Sequence, residues 1–175
     1  MAERKIGGTT MRLVRGDITD MEVEAFVFDI SDDLKLGAGY GGAITARGGK
    51  SVQEELDAIG ACPRGQAVVT GAGNMKAKHI VHVNGPKFRE PGEGDVLRTT
   101  VLAALNAAEE KGITQLALPP IGSGLYQVPI DTCAKVMVDT VTEHLHNGSK
   151  IAEIRFVALD SREYAPLAAA LEKGV

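Results

Sequence analysis

Short apolar runs alternate along this chain with stretches in which apolar residues recur every three or four positions. Six runs are rich in β-branched and aromatic residues, and several are continuously apolar. Continuous runs are typical of central strands that are covered on both faces, as in a parallel sheet. The predicted strands are residues 11–18, 25–30, 66–71, 79–85, 115–121 and 153–160.

The segments between these runs show helical periodicity. Residues 131–146 carry one apolar stripe, and Gly148 follows as a stop signal. Residues 95–112 show the same period, and residues 161–174 close the chain as a further helix. Strands that alternate with helices through short connections predict a three-layer α/β/α domain with a mostly parallel sheet. We assign this single domain to residues 11–175, and residues 1–10 to an N-terminal tail or edge segment.

Composition narrows the classes of function. The 175 residues are 44% apolar and 24% charged, which suits one soluble domain with a full hydrophobic core. A net charge of -4, with scattered lysines and arginines, argues against broad nucleic-acid binding. The apolar runs are too short to span a membrane, and residues 1–10 lack the apolar core of a signal peptide. We therefore expect a cytoplasmic protein with no membrane partner.

The cysteines and histidines of the sequence give little support for a metal site or a redox site. Cys62 and Cys133 are widely separated and are expected to be buried thiols rather than a disulfide. His79 and His82 lie three apart in a predicted strand and face opposite sides, so they cannot share a metal. The serine in the segment IGSGL lacks the glycine spacing of a nucleophile elbow, and no P-loop lysine is present. The sequence predicts neither a metal nor a cofactor.

Two glycine-rich loops follow predicted strands and run into helices. Residues 37–42, GAGYGG, match G-x-G-x-x-G, yet six residues separate them from the preceding strand, unlike a Rossmann turn. Residues 119–129, PPIGSGLYQVP, form the second loop. Backbone N–H groups near a helix N-terminus attract anions, so the two loops predict a phosphate or diphosphate site. The alternative is that the glycines merely permit tight turns.

Five segments in this order carry a family resemblance. They are GDIT (16–19), LKLGAGYGGAI (34–44), CPRGQAVVTGAGNM (62–75), HIVHVNGP (79–86) and PPIGSGLYQVP (119–129). Through these segments, the chain resembles the macrodomain family over nearly its whole length. The resemblance implies a mixed, mostly parallel six-stranded sheet between helices and an ADP-ribose cleft across the strand ends. The expected partner is ADP-ribose or an ADP-ribosylated protein.

The resemblance also assigns binding roles by position. Asp17 would accept the adenine amino group beside the backbone of Ile18, although the same carboxylate can cap a turn. Leu159 would stand where the family often has an aromatic wall for the adenine. The two loops would hold the diphosphate through Gly37, Ala38, Gly39, Tyr40, Ser123, Gly124, Leu125 and Tyr126. Tyr126 is also expected near the distal ribose, and Tyr40 either covers the cleft or packs against the next helix.

The positions linked to catalysis depart from the family pattern. The N-A-A-N stretch that binds the distal ribose in many macrodomains reads FDIS here, at residues 28–31. An aspartate used by one hydrolytic subgroup falls on Gly41. The lysine and aspartate of another subgroup fall on Ala38 and Tyr126. The sequence is therefore interpreted as that of a binder of ADP-ribose or a related metabolite.

Two alternatives stay open. One is an ADP-ribosyl hydrolase, an ADP-ribose phosphate phosphatase or an O-acetyl-ADP-ribose deacetylase with an atypical residue set. Its catalytic candidates are Asp29, a carboxylate within an apolar strand, and Asp33 in the loop that follows. The other is a degenerate scaffold whose surface serves a protein partner.

Overall fold

One seven-stranded mixed sheet organises the chain in the computed structural model, which describes residues 2–87, 89–124 and 126–173. The strand order is β1-β2-β7-β6-β3-β5-β4. The five inner strands are parallel, and the edge strands β1 and β4 pair antiparallel with their neighbours. The strands are β1 Glu3–Ile6, β2 Thr9–Arg15, β3 Ala25–Asp29, β4 Ala67–Gly71, β5 His79–Val83, β6 Gln115–Leu118 and β7 Glu153–Ala158.

Helices cover both faces of the sheet. They are α1 Tyr40–Gly48, α2 Ser51–Ile59, α3 Glu93–Glu110, α4 Ile130–His146 and α5 Ser161–Lys173. Ile44 of α1 and Leu56 of α2 pack with Phe26 on one face. The longer α3, α4 and α5 form a second core on the opposite face, with Phe156 at its centre. This arrangement confirms the predicted three-layer α/β/α fold. Within the described ranges, no helix is both long and apolar enough to cross a membrane.

The prediction of six strands is wrong by one. β1 pairs with β2 from Glu3 opposite Arg12 to Ile6 opposite Thr9. Its four residues, ERKI, contain one apolar side chain, so no apolar run marks the strand in the sequence. The first predicted strand also ends early, at Arg15, because a short 3-10 helix follows at Ile18–Asp20.

The cysteines and one of the histidines belong to the packing of the domain. Cys62 and Cys133 are both free and buried, as predicted. His82 is fully buried, its Nε2 lies 2.8 Å from the Thr70 hydroxyl oxygen, and burial lowers its pKa to about 3. A neutral ring at this position fits an interior structural role.

Close packing at Gly41 fixes the start of α1. A Cβ atom there would lie 1.6 Å from the Leu36 carbonyl oxygen, which is far inside van der Waals contact. Gly42, one residue later, would place its Cβ 3.4 Å from the Gly37 oxygen. The backbone of the loop before α1 therefore lies directly against the helix at residue 41.

Replacing Gly41 by alanine should destabilise the protein. Backbone must move to admit the methyl group, and overpacking of this kind costs roughly 1–3 kcal/mol. Gly42→Ala is the matched control: its methyl nearly fits, and alanine in a helix is favoured over glycine by roughly 0.5–1 kcal/mol. Thermal unfolding of both variants checks this, and equal melting temperatures would contradict the packing argument.

Candidate functional site

A cavity of about 450 Å³ opens at the carboxyl ends of the parallel strands. This volume lies in the range of small-molecule sites, and such sheets bind ligands at this edge. Its walls are largely apolar and include Phe26, Pro119, Ile121 and Val157. The two glycine-rich loops predicted from the sequence lie on either side of it.

The first loop, residues 37–42, lines the cavity and leads into α1, whose first residue is Tyr40. Gly37 and Gly39 have φ angles of 64° and 61°, in the left-handed region that glycine tolerates best. Hydrogen bonds back along α1 begin with Gly42 N–H to Ala38 O (3.3 Å). The amide groups at the N-terminus of a helix have no partner within it and carry partial positive charge. This loop therefore brings an electropositive backbone to the cavity.

The second loop follows β6 and faces the first. Val128 N–H donates to Gly122 O (2.9 Å), which closes the turn. Ser123 donates its hydroxyl to Pro120 O (3.0 Å), so this side chain supports the loop. Gly124 and Tyr126 also line the cavity, whereas Leu125, predicted from the sequence to bind here, lies outside the described residues.

Asp17 caps the 3-10 helix at one end of the cavity. Its Oδ1 accepts the Thr19 N–H (2.9 Å) and the Thr19 hydroxyl (2.7 Å). Its Oδ2 lies 3.6 Å from the Arg47 guanidinium. Ile18 lines the cavity beside it, but Asp17 itself is not among the lining residues. The capping role foreseen for this carboxylate is present, and its contact with an adenine stays a prediction.

Leu159 does not line the cavity. Its side chain is 49% exposed, and its N–H donates to the Glu163 carboxylate (2.8 Å). Glu163 and Tyr40 do line this end. Burial, together with the carboxylates of Glu163, Asp17 and Asp160, raises the pKa of Tyr40 to about 12. The structure thus brings together most of the predicted site residues but leaves Leu159 at the surface.

Asp29 is the buried carboxylate of the cavity, at the end of β3. Its Oδ1 accepts the Gly85 N–H (3.1 Å), and its Oδ2 is buried with no hydrogen-bond partner among the described residues. Burial raises its pKa to about 6, against the opposing influence of Lys87, whose Nζ lies 4.0 Å from Oδ1. A carboxyl group poised near neutrality inside a cavity is a typical feature of functional sites.

Asp33 occupies a different environment. It lies on an exposed turn outside the cavity, and its Oδ1 accepts the Ser31 hydroxyl (2.6 Å) and the Lys35 N–H (3.0 Å). These bonds lower the pKa of Asp33. Of the two catalytic candidates from the sequence, only Asp29 faces the cavity.

The sequence did not predict the charged network of Lys87, Glu90 and Arg64, which lies next to Asp29. Lys87 Nζ lies 3.8 Å above the centre of the Tyr126 ring and donates to Ile30 O (3.3 Å). Glu90 accepts the Lys87 N–H (2.7 Å) and pairs with Arg64 (3.1 Å). Arg64 lies within the segment CPRGQ, and Lys87 directly follows the segment HVNGP. Both contact Glu90, and the sequence alone does not show that the three residues come together. The position of Arg64 and Lys87 just before or after strands was the one available signal.

Comparison with known proteins agrees with this geometry. The family model described as Macro domain matches residues 30–137. The macro domain-containing protein TTE0995 of Caldanaerobacter subterraneus is 37% identical over 169 residues, which cover 93% of this chain and 96% of that protein. The Listeria monocytogenes protein lmo2759, also macro domain-containing, is 38% identical over 156 residues, covering 85% and 89%.

Solved structures share the fold. The Oceanobacillus iheyensis macrodomain with ADP superposes with a TM-score of 0.91, at 22% identity and with 97% of this chain and 94% of that chain covered. The Trypanosoma brucei macrodomain in complex with ADP-ribose gives a TM-score of 0.85, also at 22% identity, with 91% and 68% covered. Together with the matched family model and the sequence relatives, they show that this chain belongs to the Macro domain family.

Proposed function

We propose that this protein binds ADP-ribose, either free or as the terminal group of a larger molecule. The observation that carries the proposal is the cavity itself, an apolar cleft flanked by two backbone loops, one of which leads into a helix N-terminus. The macrodomains of Oceanobacillus iheyensis with ADP and Trypanosoma brucei with ADP-ribose support it through their common fold.

The spacing of the strands suits a long ligand. β2, whose end leads to Ile18, and β3, which ends at Asp29, are separated by β7 and β6. Three strand spacings of about 4.8 Å each place these ends roughly 14 Å apart. A base near Ile18, a diphosphate between the loops and a terminal ribose near Asp29 would occupy this span.

Backbone groups are the expected phosphate ligands. Among the described lining residues, the one lysine or arginine is Lys35, and its Nζ pairs with Asp57 (2.9 Å). Amides of the two loops would therefore provide most of the attraction for a diphosphate.

A negative charge at Gly124 should block ADP-ribose. Gly124→Asp adds a carboxylate to the cavity wall, and like charges in contact cost several kcal/mol, or roughly a hundredfold or more in affinity. Gly124→Ala is the matched control, since its Cβ would meet nothing within 4 Å. Isothermal titration calorimetry with ADP-ribose measures both variants. Absence of binding by the wild-type protein would overturn the proposal. Equal binding by the aspartate variant and the wild type would show that the diphosphate does not lie beside Gly124.

Asp17→Asn should separate capping from base recognition. The asparagine retains an oxygen for the Thr19 N–H, so the melting temperature should change little. The carboxylate that would accept an adenine amino group is lost, and charge-assisted hydrogen bonds are worth about 1.5–3 kcal/mol, or roughly tenfold to a hundredfold. Calorimetry should show a larger loss for ADP-ribose than for its hypoxanthine analogue. Equal losses would mean that Asp17 does not read the base.

The environment of Asp29 supports a second proposed function, hydrolysis at the terminal ribose. Its Oδ2 is buried and unpartnered among the described residues, and a pKa of about 6 is near the optimum for a general base at neutral pH. The aspartate of one hydrolytic macrodomain subgroup cannot be accommodated at Gly41, because a side chain there meets Leu36. Asp29 is therefore the carboxylate that we propose as the base of any hydrolysis.

Single-turnover assays test this second function. Excess protein is incubated with a glutamate-ADP-ribosylated protein or O-acetyl-ADP-ribose, and release is followed by mass spectrometry. If Asp29 is the base, the rate rises with pH through about 6 and levels off, because the ionised carboxylate accepts the proton. Asp29→Asn should lower the rate about a hundredfold or more and remove this pH dependence. No release by the wild-type protein would leave binding as the function, whereas release that is unchanged in Asp29→Asn would show that another group acts as the base.

A further inference from the structure

The base end of the cavity has no aromatic side chain after β7. Leu159 occupies that place in the chain, yet it lies outside the cavity and is half exposed. The capping of α5 holds it there: Glu163 accepts the Leu159 N–H, and Asp160 accepts the Glu163 N–H (3.1 Å). A base bound at this end would need another surface for stacking.

Tyr40 is the aromatic residue at this end. It is the first residue of α1, it lines the cavity together with Ile18, Thr19 and Glu163, and it is 38% exposed. A large, partly exposed ring on a cavity wall offers a face to a flat ligand.

The backbone around Tyr40 is fixed on both sides. Gly39 holds a left-handed φ of 61°, and Gly41 lies against the Leu36 carbonyl. Further along α1, Arg47 pairs with Asp20 (2.8 Å) and ties the helix to the 3-10 helix. The ring is therefore carried by a preorganised backbone, which reduces the entropy that binding would cost.

We propose that Tyr40 supplies the aromatic face on which the base stacks, in place of a residue after β7. This inference rests on the proposed binding of ADP-ribose and adds the residue that recognises its base. It also moves Tyr40 from the diphosphate, where the family resemblance placed it, to the base.

The charges at this end agree with a neutral base rather than a phosphate. The carboxylates of Glu163, Asp17 and Asp160 all raise the pKa of the Tyr40 hydroxyl. Asp17 and Asp160 also pair with Arg47 (3.6 Å) and Arg162 (3.5 Å), whereas Glu163 has no cationic partner among the described residues. Carboxylates repel phosphate and accept hydrogen bonds from amino groups. A ligand with one flat, amino-bearing end and one anionic part would therefore direct its base toward Tyr40 and its diphosphate toward the loops.

Three variants test this inference: Tyr40→Ala, Tyr40→Phe and Leu159→Ala. Calorimetry compares ADP-ribose with ribose 5-diphosphate, a probe that lacks the adenosine and therefore the base. Because stacking of a base on an aromatic ring would be lost, Tyr40→Ala should weaken ADP-ribose about fivefold to a hundredfold and leave the probe without adenosine unchanged. Tyr40→Phe and Leu159→Ala should stay within about twofold of the wild type, since the first keeps the ring and the second removes no contact with the base.

Tyrosine fluorescence gives a second readout with the conservative variant. The chain has three tyrosines and no tryptophan, so its emission reports these rings. ADP-ribose should quench the wild type, and Tyr40→Phe should lose most of that quenching while it still binds. This measurement holds even if Tyr40→Ala fails to fold.

The outcomes separate the two proposals. If the wild type does not bind ADP-ribose, the proposed function fails. If it binds and Tyr40→Ala matches it, or Leu159→Ala causes the larger loss, the role of Tyr40 is wrong. Equal losses for ADP-ribose and ribose 5-diphosphate would show that Tyr40 supports the diphosphate loop instead, which also overturns the inference. Unchanged quenching in Tyr40→Phe has the same meaning.

Discussion

Five parallel strands end at one edge of the sheet, and the whole site depends on that alignment. β2, β7, β6, β3 and β5 run side by side in the same direction. The five loops that follow these strands therefore begin at the same edge of the sheet. The cavity forms among the loops after β2, β3 and β6, with the first turn of α5 at one end. Helices on both faces keep the sheet in place, so the loops are held at fixed distances from each other.

The fold holds the Asp29 carboxyl group in a largely buried position at the end of β3. A carboxylate buried in an apolar strand end is costly unless it is hydrogen-bonded or paired. Here Gly85 donates one hydrogen bond, and Lys87 lies nearby without a close contact. Burial raises the pKa of Asp29 to about 6, although Lys87 and the Gly85 N–H act to lower it, and its Oδ2 has no hydrogen-bond partner among the described residues. The packing of the domain thus maintains a carboxyl group with a raised pKa, which an isolated strand would leave exposed to water.

The two ends of the cavity differ in charge and in chemistry. At one end, the carboxylates of Glu163, Asp17 and Asp160 are near enough to the Tyr40 hydroxyl to raise its pKa. Glycine backbone, with its N–H groups, forms the middle. Buried Asp29 lies at the other end. Such a difference would favour one orientation of a long ligand, because backbone amides attract a phosphate and carboxylates repel it.

The sequence by itself determined the layers, the inner strands and β4, and the two glycine loops, because these follow from local periodicity and turn chemistry. It did not reveal β1, which has one apolar residue in four. Only the tertiary structure decided that Leu159 faces solvent, that Tyr40 lines the cavity together with Glu163, and that Lys87 meets the Tyr126 ring. Those contacts join loops far apart in the chain, and no local pattern encodes the distance between two loops until the sheet has set it.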